Sequence, residues 1–391
     1  MPKTGTITVR GRLVGAARPS DIEVRGGAVL RVDPAGRRPA DFGSRDAFIG
    51  PALFDIQVNG AAGHGLQGGQ VRPDDVLAVT EHLAAWGVSH WVPTLITAPL
   101  EEMEHGCRMI AEALRDPCVA RAVPGIHLEG PCISPNDGPR GAHPKAQVRP
   151  PKIADFDRLM TAAEGRILYT TLAPEWPGAP AYIRALVRRG VLAALGHHEA
   201  TAVDIARAVD AGARLCTHLG NGSASLMKRH DNPFWPQLAE DRIAASLIAD
   251  LHHLPAAALK TFVRAKGPAR VILTSDCVRL AGMKPGKYRE FGAEVELKRN
   301  GIICLSGTDL LAGSAMMLLQ GVVNAWRSTD LTLEQAFACA TTVPAGLFRV
   351  KRLSQPMGVG GRANFVVFEA DHAKRRAVKV LASFVHGMLR G

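Results

Sequence analysis

Residues 191–219 read VLAALGHHEATAVDIARAVDAGARLCTHL, and the hydrophobic period changes twice within them. Residues 191–196 form a short apolar run of strand composition. Thr201 and Asp204 then stand at the spacing of a capping box, Ile205 and Val209 lie four apart on one helical face, and Gly212 supplies the stop. A second apolar run opens at Arg214. Strand, helix and strand in so few residues make a βα unit, the building block of a parallel sheet.

The same alternation extends in both directions, from residue 50 to about 345. Candidate strands fall at residues 53–59, 88–95, 123–129, 166–172, 191–196, 214–219, 243–250 and 271–276, which makes eight. Eight is the number that closes into a (β/α)8 TIM-like barrel. Arg299-Asn300-Gly301, between residues 294–298 and 302–305, predicts a β-hairpin insertion over 285–306 in the last loop. The first 50 residues instead carry short strand-like runs at 6–10, 12–14, 22–24 and 28–32, and residues 358–368 match them near the other end. We therefore expect a small β-sandwich domain built from both termini, residues 1–50 and 346–391, beside a catalytic barrel at 51–345.

Composition removes several function classes. With 391 residues, 47% hydrophobic and 21% charged, the chain is globular and long enough for one large domain with an appendage. The net charge of +11 favours anionic partners, but aromatic residues are only 5% and no basic run is interleaved with them, so nucleic-acid binding is not expected. The longest apolar stretch, 310–323, is broken by Gly313, Ser314 and Gln320, and the N-terminus lacks the apolar core of a secretory signal. Seven cysteines, an odd number without a C-x-x-C pair, argue against a disulfide framework. A cytoplasmic protein that does not enter a membrane is the expectation.

A barrel of this kind gathers its chemistry at the C-terminal ends of the strands. Asp55, Gln57 and Asn59 end the first, Glu129 the third, His197 the fifth, His218 the sixth, Asp250 and His253 the seventh, and Asp276 the eighth. One carboxylate and two imidazoles, Glu129, His197 and His218, suit a divalent metal that keeps a position for water. Hydrolysis also needs a group to take the water's proton and return it to the leaving amine, and Asp276 fits that role.

These residues, with His127-Leu128-Glu129-Gly130-Pro131, Gly141-Ala142-His143, Gly196-His197, Thr217-His218-Leu219, Ala249-Asp250, Ser275-Asp276 and Leu311-Ala312-Gly313-Ser314, stand in an order that resembles the N-acetylglucosamine-6-phosphate deacetylase family of the amidohydrolase superfamily. The resemblance runs nearly end to end. It implies a metal-dependent hydrolase of linear amide C–N bonds that releases acetate and glucosamine 6-phosphate, with Glu129, His197 and His218 on the metal and Asp276 as acid/base. It further implies that His253 polarises the acetyl carbonyl or touches the sugar, and that His143 contacts the substrate. No His-x-His ends the first strand, so a single divalent ion is expected: Zn²⁺ first, with Fe²⁺, Co²⁺ or Mn²⁺ as alternatives.

The resemblance weakens at the phosphate end. Asn221, Gly222 and Arg229 occupy the family's phosphate-binding places, yet Asn221-Gly222-Ser223 and the run 229–235 depart from its usual sequence. Either the loop still binds the same anionic N-acetyl amino sugar, or it admits a different amino sugar or N-acyl compound. Trp235 is a candidate sugar platform, and Lys145, Arg149 and Lys228 are candidates for steering an anion. A homodimer is implied by the resemblance.

Overall fold

A computed structural model describes residues 5–290, 293–308, 311–350, 357–370 and 378–390. Eight strands follow one another around a parallel ring: Leu53–Val58, Val88–Ile96, Ile126–Glu129, Ile167–Leu172, Leu192–Leu195, Leu215–Cys216, Ala244–Ile248 and Val271–Thr274. We number them as barrel strands one to eight. A parallel bridge between Val58 and Cys277 joins the last to the first. Asp276 N donating to Gln57 O at 3.1 Å and Asn59 N to Cys277 O at 2.8 Å complete that seam.

The helix expected inside the opening stretch is Ala202–Ala211. Thr201 and Asp204 exchange side-chain and backbone hydrogen bonds at its start, and Gly212, at φ 116°, ends it. Helices of this type shield the outer face of the sheet. The interior is filled: Tyr169 crosses the ring to donate to Ile56 O at 2.7 Å and stacks on His127 with ring centroids 3.8 Å apart. The barrel is thus a packed core open only at one rim.

Both termini build a single seven-stranded sheet in the order Met388–Arg390, Val378–Val385, Phe365–Ala370, Phe42–Pro51, Ile7–Leu13, Pro19–Arg25, Ala28–Pro34. The sheet curls until Val29 N donates to Gly361 O and Ala363 N to Gly27 O, both at 2.9 Å. Its two halves enclose Val9, Ile49, Phe365 and Phe384, so the sandwich is one sheet folded over its own core. Phe42–Pro51 leads directly into barrel strand one, which couples the small sheet to the ring.

The insertion is larger than a hairpin. Gly286–Glu290, Ala293–Leu297, Ile302–Leu305 and Leu311–Ser314 form a four-stranded antiparallel sheet, with the Asn300-Gly301 turn where the sequence places it. Its last strand is tied to the barrel by Val278 N donating to Ser314 O at 3.0 Å. Among the described residues, no helix is long and apolar enough to cross a membrane.

Candidate metal centre and active site

His197, His218 and Asp276 leave their strands in the left-handed region, at φ 54°, 29° and 49°. Such a backbone costs an L-residue roughly 1–3 kcal/mol and turns its side chain sharply into the mouth of the ring. Each turn is held by a hydrogen bond: Ser134 N to His197 O at 2.8 Å, His218 N to Ser246 Oγ at 2.7 Å, and the seam bond to Gln57 O. The strain buys convergence.

Glu129 Oε1 lies 2.8 Å from His218 Nε2 and 3.3 Å from His197 Nε2, and the two imidazole nitrogens are 3.1 Å apart. His197 donates its Nδ1–H to Pro139 O at 2.8 Å, which leaves Nε2 as a bare lone pair aimed into the cluster. A carboxylate oxygen and such lone pairs repel one another unless a cation or a proton sits among them. Burial alone would raise the Glu129 carboxyl, but positive charge among His197 and His218 outweighs it and holds the group well below the usual carboxylate range. This donor set fits a divalent cation.

His143 comes close as well, with Nε2 4.0 Å from Glu129 Oε2; ligand atoms of Glu129, His143 and His197 lie within 4.8 Å of one another. The Thr97 backbone N–H points at His143 Nδ1 at 3.4 Å, and Thr97 Oγ1, which donates to Glu129 O at 3.3 Å, is 3.0 Å from the same ring nitrogen. These contacts anchor the ring through Nδ1. Burial and then the neighbouring His197 push this imidazole down to about 3, so it is neutral.

His253 is anchored by a carboxylate. Its Nδ1 donates to Asp250 Oδ2 at 2.7 Å, while Asp250 Oδ1 accepts from the backbone of His252 and His253. With Nδ1 so engaged, Nε2 is the ring nitrogen left for a ligand. His253 lines the same cavity as Glu129, His143, His197, His218 and Asp276, a space of about 210 Å³; the neighbouring His252 lines a separate one. Burial, and after it the charge of Glu129, raises Asp276 to about 7, the range of a group that both takes and returns a proton near neutrality.

Asn221 and Gly222 reach the rim of this cavity. Gly222, at φ 56°, passes so close over His197 that a Cβ would stand 2.7 Å from its Nδ1. Arg229 and Lys228 are exposed on the same loop, outside the cavity lining, and Trp235 is 51% exposed with its indole N–H bonded to Arg229 O. Lys145 and Arg149 lie in the loop after His143 and also outside the lining.

Two partners of the cluster were not assigned roles from sequence. Gln57 Nε2 donates to Glu129 Oε1 at 2.9 Å, and Asn59 Nδ2 donates to Asp276 Oδ1 at 2.7 Å. The signal was the run Asp55-x-Gln57-x-Asn59: three polar side chains at period two in a fully buried strand must find partners inside the ring.

Comparison with known proteins agrees with this geometry. The chain matches the amidohydrolase family over residues 48–390. It is 31% identical over 350 residues to the N-acetylgalactosamine-6-phosphate deacetylase of Escherichia coli O157:H7, covering 89% of this chain and 90% of that one. It is 32% identical over 396 residues to the N-acetylglucosamine-6-phosphate deacetylase of Bos taurus, covering 96% and 92%. A solved variant of the Mycobacterium smegmatis N-acetyl-D-glucosamine-6-phosphate deacetylase, in complex with N-acetyl-D-glucosamine-6-phosphate, is similar with a TM-score of 0.82 at 28% identity, over 98% of this chain and 99% of that one.

Proposed function

The chain belongs to the amidohydrolase family and, within it, to the N-acetylglucosamine-6-phosphate deacetylases, and from that membership we propose that it hydrolyses the acetamide of N-acetylglucosamine 6-phosphate to glucosamine 6-phosphate and acetate. The observation that carries this reading is the convergence of Glu129, His197 and His218 opposite Asp276 in one cavity. A divalent ion held by that trio, zinc first because two imidazoles and a carboxylate suit it, would supply a Lewis acid that acidifies water and polarises the amide carbonyl.

The protein's own groups then divide the work. Asp276 takes the proton of the attacking water as the tetrahedral oxyanion forms, and returns it to the departing amine. His253, held through Nδ1 by Asp250, polarises the acetyl carbonyl or touches the sugar. His143, a neutral imidazole lining the same cavity, contacts the substrate. Asn221, Gly222 and Arg229 receive the phosphate, whose binding energy places the amide against the cluster.

The Escherichia coli relative favours a second reading, in which the substrate is N-acetylgalactosamine 6-phosphate. Acetate release from both sugar phosphates and from their unphosphorylated forms, by protein of measured metal content, separates the cases. The main reading expects N-acetylglucosamine 6-phosphate to be turned over fastest. A metal-loaded protein inert to every acetamide would refute both. We also propose a homodimer, with the exposed Leu226, Met227 and Trp235 of the substrate loop at its contact; a monomeric mass by light scattering refutes it. A cytoplasmic location agrees with seven free cysteines.

A further inference from the structure

Asn59 directly follows barrel strand one, buried, and it is its backbone N–H, not its side chain, that joins the seam by donating to Cys277 O. The side chain is therefore free for another task, and it spends its amide nitrogen on Asp276 Oδ1 at 2.7 Å. A second amide sets its direction. Gln67 Nε2 donates to Thr94 O at 2.6 Å while Gln67 Oε1 accepts from Ile96 N at 2.9 Å, which fixes the two ends of that side chain. The same Nε2 lies 3.4 Å from Asn59 Oδ1. A nitrogen donor must face an oxygen, so Asn59 has to present Nδ2 to Asp276.

We propose that Asn59, oriented by Gln67 anchored on the end of barrel strand two, is a positioning residue that pins one carboxylate oxygen of Asp276 and leaves Oδ2 as the only proton carrier. The proposal rests on the acetamide hydrolysis proposed above. Pinning matters because Asp276 must serve twice in one turnover, first as base and then as acid. A carboxylate free to rotate presents either oxygen to either partner; one held at Oδ1 returns the proton from the atom that received it, along one fixed line. Geometry of this kind changes the chemical step and leaves ground-state binding of the sugar alone.

The test compares Asn59→Asp, which keeps the volume and removes the donor, with Asn59→Ala. Both are expected to lower kcat about 10- to 100-fold, the usual cost of losing a group that orients a site residue. KM for the sugar phosphate should stay within about threefold, as expected when only the chemical step is impaired. Metal per chain should stay at the wild-type value. An Asn59→Asp protein with wild-type kcat makes the residue a packing element and overturns the proposal, as does loss of metal in either variant. Gln67→Ala, in a more exposed position, should lower kcat in the wild-type background and have no further effect on Asn59→Ala; additive losses overturn the Gln67 link. Wild-type protein inert to both sugar phosphates defeats the hydrolase reading and this proposal together, whereas an active wild type beside an unimpaired Asn59→Asp defeats this proposal alone.

Discussion

In the proposed reaction both proton transfers pass through one side chain, Asp276. Replacing it with Asn keeps its size and its bond to Asn59 within reach but removes the proton acceptor. We expect Asp276→Asn to bind metal at the wild-type level and lose about 10²- to 10⁴-fold in kcat, the usual contribution of a general acid/base; turnover at the wild-type rate would remove the residue from the mechanism. The pH profile follows from the same group. Asp276 must be ionised to accept a proton, so activity falls as pH drops through its pKa. That pKa is raised to about 7 by burial and then by the Glu129 charge. A cation held at Glu129 opposes the second influence, so the acid limb of kcat/KM in the loaded enzyme should lie below 7. A limb above 7 contradicts this. At this scale the sequence was legible wherever a residue ended a strand: Glu129, His197, His218 and Asp276 all stand at the rim. What it hid was mutual contact. Asn59 and Asp276 are 217 positions apart, and His127 finds Thr94 and Thr171 across neighbouring strands, pairings that exist only once the ring has closed.

Single elements were read with uneven success, for reasons that can be named. All eight barrel strands lie inside or beside their expected spans, because each is a short, largely buried run between turn or helix signals. Their ends differ where local chemistry intervenes. Strand three starts at Ile126 because Val123 caps the helix Pro117–Ala122 and Pro124 has no N–H to pair. Strand six is only Leu215–Cys216, since His218 turns left-handed two residues later. The strand Phe42–Pro51 escaped notice because its run FGSRDAFIGP mixes charge and glycine with few apolar positions, and its partners lie at both ends of the chain. The loop over the metal cluster yields a prediction of its own. Gly222→Ala would drive a Cβ against His197, so we expect reduced metal occupancy together with at least a tenfold loss of activity, the order seen when a ligand's support is disturbed. Full occupancy in that variant would show that the loop can yield.

The molecule as a whole gains stability from what it binds. An ion that binds the folded chain and not the unfolded one adds about 2.7 kcal/mol when its free concentration is a hundred times its Kd. Chelation should therefore lower Tm by several degrees, and restoring the ion should recover it; a Tm indifferent to chelator would mean that the cluster holds its charge by protons alone. The division into a barrel and a terminal sheet was legible in outline, because βα grammar stops at both ends of the chain. The closeness of the two units was not. A Cβ on Gly87, at φ 81°, would meet Val366 at 2.6 Å, a contact that no periodicity announces.

The central place of Phe42–Pro51 in the terminal sheet also bears on how the protein is made. One neighbour, Ile7–Leu13, precedes it, but the other, Phe365–Ala370, leaves the ribosome almost last. Until then the edge of Phe42–Pro51 that Phe365–Ala370 covers has no partner, with Arg45 and Asp46 as nearby charges to discourage foreign pairing. We expect a premature stop anywhere in the barrel to leave that edge open for good.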